Sequence, residues 1–464
     1  MINNVSTNIG PVSLNSCPRS VLVGFIHPIL KNRAKITSPR IGWLDLHQFF
    51  LFGTRQPIYI QKEVVFWNDL FSYNKINTLS SGIAMMFETE AGSGNYEMTT
   101  RSEWPTEGYV FNENLSKCEK GSKLSWDNEN KRVLMNGNKS DKCYVYFDVY
   151  VKPQVLLADY VKSLYTGTQG ANNMYYHDAN LTNGAGDNSY RFAGASDQVN
   201  NYVCFGSSTT PCPADNLYRI IGVFGDKVKL IKSDYATTAL LGADGDYSKM
   251  YTANGWSNSN YKGNNLANIA GYTWNYKNNT TINSGNGSNT WSTSLLNKTN
   301  LNKNFITNIG ADWAAKIADT TWKVGGNTYA NIGTQPAKTA YQNEIVNPVT
   351  TNSTDSATEY SAKIGLMYAS DYGFAAAPSA WATQLSSYNG EAIKNVNWMY
   401  MGLYEWTISR NADSAYLVFL VTDTGNVGND GANGAYGVRP VFYLSSSVNY
   451  ASGSGTAADP ILVN

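Results

Sequence analysis

Apolar and polar positions alternate through six short runs between Ser81 and about Tyr150: Ile83–Glu88, Asn95–Thr99, Tyr109–Phe111, Lys123–Trp126, Arg132–Met135 and Tyr144–Asp148. A period of two bounded by turn residues is the pattern of half-buried strands. Asp127-Asn128-Glu129-Asn130 stands between two of these runs and is a hairpin turn by composition. Residues 81–152 are therefore expected to form a small β-module. Val151–Gln154, with Pro153, reads as the linker that ends it.

The period then changes. In Val155–Leu164, residues Leu156, Leu157, Tyr160, Val161 and Leu164 share one helical face, so a helix is expected to open the last domain, 153–464. Thr166–Gly194 is rich in Gly, Asn and Tyr and is read as mostly loop. Tyr218–Val223 and Lys227–Lys232 bracket Gly225-Asp226 as a hairpin of central strands. Asn289–Asn308 returns to helical spacing through Leu295, Leu296, Leu301 and Phe305, ahead of Trp313–Gly326 and a polar insert around Asn347–Glu359. Two helices beside small twisted antiparallel sheets define an α+β class.

Three later stretches, Lys363–Ala377, Trp398–Arg410 and Tyr436–Leu444, pack apolar and aromatic residues between Gly, Ser, Asn and Asp. They read as brief buried strands separated by long loops. Gly437, Arg439 and Pro440 form a structural latch by type: a permissive backbone, a planar donor fork and a rigid φ. The loops between carry Tyr388, Asn389, Asn395, Asn397, Asn411, Asn426, Asn429, Asn433 and Tyr436, which offer hydrogen-bond groups and flat faces to a ligand. Trp398, Tyr400, Tyr404 and Trp406 have even spacings that one unbroken strand would place on one side, while Gly402 marks a bulge or bend. Trp406 is expected in the core. Trp398 and Tyr400 are the candidates for a stacking platform, with core packing as the competing role.

A length of 464 residues allows roughly three domains. The aromatic clusters Trp43–Phe52 and Phe66–Phe71 make residues 1–80 a candidate docking or assembly segment. Only 15% of residues are charged against 13% aromatic, with 32 Tyr and 40 Gly, a composition suited to extracellular β-rich recognition proteins. Lys+Arg and Asp+Glu both number 35, so no basic surface supports nucleic-acid binding. The cysteines are Cys17, Cys118, Cys143, Cys204 and Cys212. Two local pairings are expected, Cys118–Cys143 around a hairpin and Cys204–Cys212 around a short loop, leaving Cys17 over; free thiols are the competing state. Without a CxxC spacing, and with His27, His47 and His177 scattered, no metal site or cofactor is expected. Val21–Leu30, about ten residues with His27 and Pro28 inside, is too short for a membrane span and lacks a cleavage site. Disulfides without a leader point to a truncated start, another export route, or release by lysis as for virions.

Asp187–Gly194, Tyr202–Gly206, Pro213–Lys232, Lys363–Gly373, Trp406–Arg410, Gly437–Leu444 and Ser454–Pro460 together resemble an incompletely characterised domain family abundant in gut Firmicutes and their phages. The resemblance covers roughly residues 156–464, and Tyr109–Phe147 resembles the small β-module that often precedes this domain. The family is similar in architecture to C-type lectins, to formylglycine-generating sulfatase-modifying factors and to the variable proteins of diversity-generating retroelements. Formylglycine generation, as the resemblance implies it, requires cysteines near the end of the fold; the last one here is Cys212, so that chemistry is absent. Calcium-binding lectins use a Glu-Pro-Asn or Gln-Pro-Asp loop and a Trp-Asn-Asp strand, and residues 360–445 contain neither. Trp67-Asn68-Asp69 lies far from that scaffold and is taken as coincidence. Asp423–Asp430 lacks the bidentate Glu of a calcium loop and reads as a surface turn. Residues 381–436 have the Asn- and Tyr-rich character of retroelement-varied surfaces, although those residues are common throughout the chain.

Glu405 and Asp371 are the carboxylates to weigh for a hydrolase, which would place two of them about 5–9 Å apart. Beside strands and turns, such a group more often caps a backbone or pairs with Arg410 or Arg439. No nucleophile elbow, phosphate loop or dinucleotide fingerprint occurs. The chain is expected to be a non-enzymatic recognition protein, a phage tail, fibre or surface receptor-binding protein that contacts a host-surface glycan or protein as a homo-oligomer or within a virion or surface assembly. A structural subunit of an extracellular assembly and a glycan-active enzyme are the alternatives.

Overall fold

The computed structural model describes residues 82–99, 103–254, 259–278, 285–328, 334–349 and 356–464. The docking segment expected over residues 1–80, Cys17 included, lies outside them. Two units divide between Pro153 and Gln154.

In the first unit the strands are β1 (Gly82–Glu88), β2 (Tyr96–Met98), β3 (Tyr109–Cys118), β4 (Lys123–Asp127), β5 (Arg132–Asn136) and β6 (Lys142–Val149). Their sheet runs β2-β1-β6-β3, with β1 and β6 parallel, and β4–β5 pair as a separate hairpin. Phe87, Trp104 and Phe147 are buried at its centre with Met85 and Val145, and Tyr109, Phe111 and Trp126 close around them. This aromatic packing gives a small module its stability, because rings bury the most apolar area per residue. The Asp127–Asn130 turn forms as its composition implies: Asp127 Oδ1 accepts the Asn130 N–H at 3.0 Å. Cys118 and Cys143 are disulfide-bonded and directly opposite each other on β3 and β6, so the bond clasps two sheet neighbours with the β4–β5 hairpin enclosed.

The second unit opens with α1 (Leu157–Ser163), which buries Leu157, Ala158 and Val161. Leu156 falls outside the helix, in a short strand paired with Asn449–Tyr450, and is exposed. Next come β7 (Met174–His177), β8 (Ser189–Phe192), β9 (Tyr202–Cys204), β10 (Leu217–Phe224) and β11 (Lys227–Lys232). Beyond them lie β12 (Gly326–Asn327), α2 (Ala337–Tyr341), β13 (Ile364–Gly365), α3 (Ala369–Ala375), β14 (Glu405–Asn411), β15 (Leu417–Val421), β16 (Val427–Gly431) and β17 (Val441–Tyr443). The main sheet is ordered β13-β17-β11-β10-β8-β7, with β9 also on β10. The Gly225-Asp226 hairpin is thus central, and near-continuous burial along β10 and β11, their Arg219, Lys229 and Lys232 included, marks strands covered on both faces. Gly222 is required there: a Cβ would meet the Tyr190 carbonyl of β8 at 2.3 Å. A second sheet, β12-β14-β15-β16, contains the wholly buried β14.

The helix expected over Asn289–Asn308 is a wide-turn π-helix, Leu296–Phe305, continued by Ile306–Asn308. Leu296, Leu301 and Phe305 are buried as their spacing implies, and Asn297 and Asn300 are buried beside them. Asn300 is held by polar contacts, donating to the Leu241 and Asp244 carbonyls and accepting the Asp246 N–H. The bulge or bend expected at Gly402 in the Trp398–Arg410 run is present. Gly402 has φ 81°, and a Cβ there would lie 1.9 Å from the Asn260 carbonyl, so the chain turns and the strand begins at Glu405. Cys204 and Cys212 are also disulfide-bonded. The class is α+β, and among the described residues no helix is long and apolar enough to cross a membrane.

Candidate functional site

A groove of about 560 Å3 opens on the second unit between the loops around β7 and the segment that follows α3. On one wall, Gln169 acts as an extra strand partner: its Oε1 accepts the Tyr176 N–H at 3.0 Å and its Nε2 donates to the Tyr176 carbonyl at 2.9 Å. The loop leaving β7 is shaped by Asp178, whose Oδ1 accepts the N–H groups of Asn180 and Leu181, both at 3.0 Å. Such Asx turns are the local device by which Asp and Asn order a loop. Asn180, Thr182 and Asn183 then border the groove with amide and hydroxyl groups.

Pro378 and Ser379 make the opposite wall, with the fully buried Trp381 beneath them. Trp381 is anchored from behind, its indole N–H donating to the Ala376 carbonyl at 2.8 Å and its ring set edge-on against Tyr175 at 5.3 Å. Tyr175 is half-buried, and burial raises its phenol above the ordinary range. Behind Trp381 lies His177, fully buried. Its Nδ1 accepts the Ala185 N–H at 3.1 Å, and burial first, then the Arg191 charge, hold its pKa well below the usual value. The imidazole is therefore neutral. Asp178 is the one carboxylate among the lining residues, and its oxygens are engaged in its own turn.

Deeper in this unit, ion pairs fasten the scaffold. Arg191 Nη2 meets Asp187 Oδ2 at 2.6 Å, Lys229 Nζ meets Asp371 Oδ2 at 2.5 Å, and Arg439 Nε meets Glu405 Oε1 at 2.7 Å. Burial works against ionisation of Asp187, yet Arg191 and the Ser189 hydrogen bonds outweigh it and bring it down to about 2. Glu344 accepts the N–H groups of Ala369 and Ser370 at the start of α3, and burial pushes its carboxyl up to about 7. Asp371 and Glu405, the two carboxylates weighed for hydrolysis, are thus buried partners of cations: Asp371 also accepts the Tyr368 N–H at 3.0 Å.

The residues expected to meet a ligand divide in two. Asn389 and Asn433 are exposed, and Asn426 and Asn429 half-exposed. Tyr388, Asn397 and Tyr436 are buried, which corrects their expected place on the surface, and Trp398 and Tyr400 are buried in the core-packing role that competed with a stacking platform. Each has an internal task. Tyr388 donates to the Gly373 and Ala380 carbonyls, Asn397 to Tyr372, Trp398 to Phe192, Tyr400 to Asp423 and Tyr436 to the Asp430 carboxylate. Trp398 also faces the Arg219 guanidinium at 4.7 Å. Their hydroxyl, amide and indole groups supply the partners that loop backbone needs once covered. Asn426 accepts from Thr422 and Thr424 in the turn between β15 and β16, and the rest of the Asp423–Asp430 stretch, Val427–Asp430, lies in β16.

The residues read as structural occupy structural places. Trp406 is buried and donates to Tyr272, Pro440 accepts the Lys232 N–H, and Gly437 packs where a Cβ would meet the Tyr235 ring at 2.7 Å. Arg439 reaches the Met399 carbonyl at 2.7 Å as well as Glu405. The groove residues Tyr175, Asn180 and Trp381 were not singled out by sequence. The available signal was the pairing of Tyr175-Tyr176 with an Asx-turn stretch, Asp178-Ala179-Asn180. Among the described residues no group of three or more His, Cys, Asp or Glu is placed to hold a metal ion. Comparison with protein-family models, with curated proteins and with solved structures finds no match to this chain.

Proposed function

We propose that the second unit is a recognition domain of C-type-lectin-like type that binds a host-surface glycan or protein, within a phage tail, fibre or other surface receptor-binding protein. The observation that carries this reading is the groove between Tyr175–Asn183 and Pro378–Trp381. Amide and hydroxyl groups border an aromatic wall braced by buried indole and imidazole rings, the mixture that binds a ligand bearing both hydroxyls and apolar faces. The oxygens of Asp178 are committed to its turn, so the lining supplies recognition groups rather than a carboxylate pair. Asn389 and Asn433 are exposed polar residues of the 381–436 loops outside the groove lining.

Assembly into a larger structure is favoured by a different observation: Val110, Leu115, Leu134 and Tyr144 of the first unit are exposed by 39–49%. Outward apolar strand residues of this kind suit contact between subunits.

The test uses the full chain, with glycan-array and whole-cell binding of the wild type compared with Asn180→Ala/Asn183→Ala and with Asn389→Ala/Asn433→Ala. Saturable binding reduced at least about tenfold by the first pair supports the groove, since lost hydrogen bonds in a binding site cost about 1 kcal/mol each. Loss only with the second pair moves the site to the 381–436 loops. No binding by a folded wild type that self-associates replaces recognition with assembly.

A further inference from the structure

Lys229, on the central strand β11, and Asp371, in the first turn of α3, meet inside the second unit with their side chains each 1% exposed. Four aromatic rings surround the ammonium: Tyr368 at 4.7 Å, Tyr443 at 5.4 Å, Phe224 at 5.5 Å and Trp322 at 5.8 Å. The Nζ–Oδ2 distance is 2.5 Å. With a C–O bond of about 1.2 Å, Nζ stands no more than about 3.8 Å from Cγ, close to the separation of a near-attack arrangement.

The partners are unequally satisfied. Asp371 Oδ2 is held by the Tyr368 N–H and by Lys229, whereas Oδ1 is buried without a hydrogen-bond partner, and Arg191 Nη1 stands 3.7 Å from it, also without one. Arg191 keeps its own pairing with Asp187, so its charge does not depend on Asp371. A buried ion pair is a weak source of stability because both charges have left water. Passing one proton along the 2.5 Å contact turns the pair into a neutral amine and a neutral carboxylic acid, the reactive forms for condensation. Burial acts in that direction on Lys229, lowering its pKa.

We propose that Lys229 and Asp371 are the two halves of an intramolecular amide bond that ties β11 covalently to α3. The neutral Nζ attacks Cγ, the Nζ–Cγ bond forms, and the Cγ–Oδ1 bond breaks. Oδ1 departs as water with the carboxylic proton and one proton from Nζ, while Oδ2 stays as the amide carbonyl and keeps the Tyr368 N–H. No oxidant or other reactant is required. The proton released from nitrogen leaves with Oδ1 in the same water, so the step balances within the pair. The product removes two buried charges and leaves the Asp187–Arg191 pair balanced.

Intact mass of the full chain, unfolded and with its disulfides reduced, decides the matter. The expected mass is lower than that of the sequence by one water, with a proteolytic fragment joining the peptides of Lys229 and Asp371. Lys229→Arg abolishes the loss. Asp371→Asn, which can release ammonia instead of water, yields the same joined fragment and the same final mass as the wild type. A wild-type mass equal to that of the sequence, or a fragment joining other residues, overturns the proposal.

Discussion

Arg439 Nε donates to Glu405 Oε1 at 2.7 Å, with the two side chains 1% and 2% exposed. This contact fastens the Gly437–Pro440 segment to the first residue of β14, and Arg439 Nη2 continues to the Met399 carbonyl. It explains how the 398–404 turn stays closed against the strand that follows. Removing one partner of such a buried pair leaves the other charge stranded. Glu405→Gln and Arg439→Met are each expected to destabilise the second unit by about 3–5 kcal/mol, read from urea unfolding midpoints. The double variant is expected to lose less than the sum of the two, and simple additivity would show that the pair does not act as a unit.

Gly402 is the point at which this segment bends. Its φ of 81° and the Asn260 carbonyl at 1.9 Å from a Cβ position make Gly402→Ala both strained and crowded. The expected loss exceeds about 1 kcal/mol in thermal or urea unfolding, and a neutral result would show that the turn has another conformation available.

Glu344 imposes a pH dependence on stability. Its folded pKa of about 7 lies above the ordinary 4.5, so the native state holds a proton that the unfolded chain has released between these values. The contribution to stability is full below about 4.5, falls as pH rises to about 7, and is flat above, with a total of roughly 3 kcal/mol at most. Glu344→Gln is expected to flatten the unfolding midpoint between pH 5 and 7.5. A slope unchanged from the wild type would assign the proton uptake to another group.

Asp187 works in the opposite sense. Its pKa of about 2 in the folded state lies below the ordinary 3.8, so its contribution is present above pH 3.8 and is lost as pH falls through about 2. Asp187→Asn is expected to reduce stability at pH 6 more than at pH 2. Equal losses at both would mean that its hydrogen bonds, rather than its charge, hold Arg191.

The two disulfides enclose unequal loops, 25 residues apart for Cys118–Cys143 and 8 for Cys204–Cys212. Replacing the first pair by Ala is expected to cost about 3 kcal/mol in the first unit, and the second pair less. Calorimetry on each double variant measures this, and a larger loss from the shorter loop would show that local packing outweighs chain entropy.

Much of the architecture was legible because it repeats locally. Period-two runs located β1, β5 and β6, the Gly225-Asp226 turn between two runs located the β10–β11 hairpin, and the chemistry of Asp127–Asn130 placed the β4–β5 bend. The side chain of Trp406 was assignable to the core, whereas Tyr388, Trp398 and Tyr400 were not, because an aromatic residue in a polar loop has the same sequence signature whether it meets solvent or plugs the loop from beneath. The π-turns of Leu296–Phe305 were hidden for a related reason: apolar spacing near four residues suits either helix, and the inward asparagines that distinguish it gain their partners from Leu241, Asp244 and Asp246.

Residue order by itself determined the α+β class, the strand-rich first unit and the two cysteine pairings, since periodicity, turn residues and short chain separations act over neighbouring positions. The groove, the Lys229–Asp371 contact and the burial of the loop aromatics arose only on folding. Lys229 and Asp371 are 142 positions apart, and their meeting depends on which sheet face the helix covers and which charges lose water there, quantities that no local stretch of sequence contains.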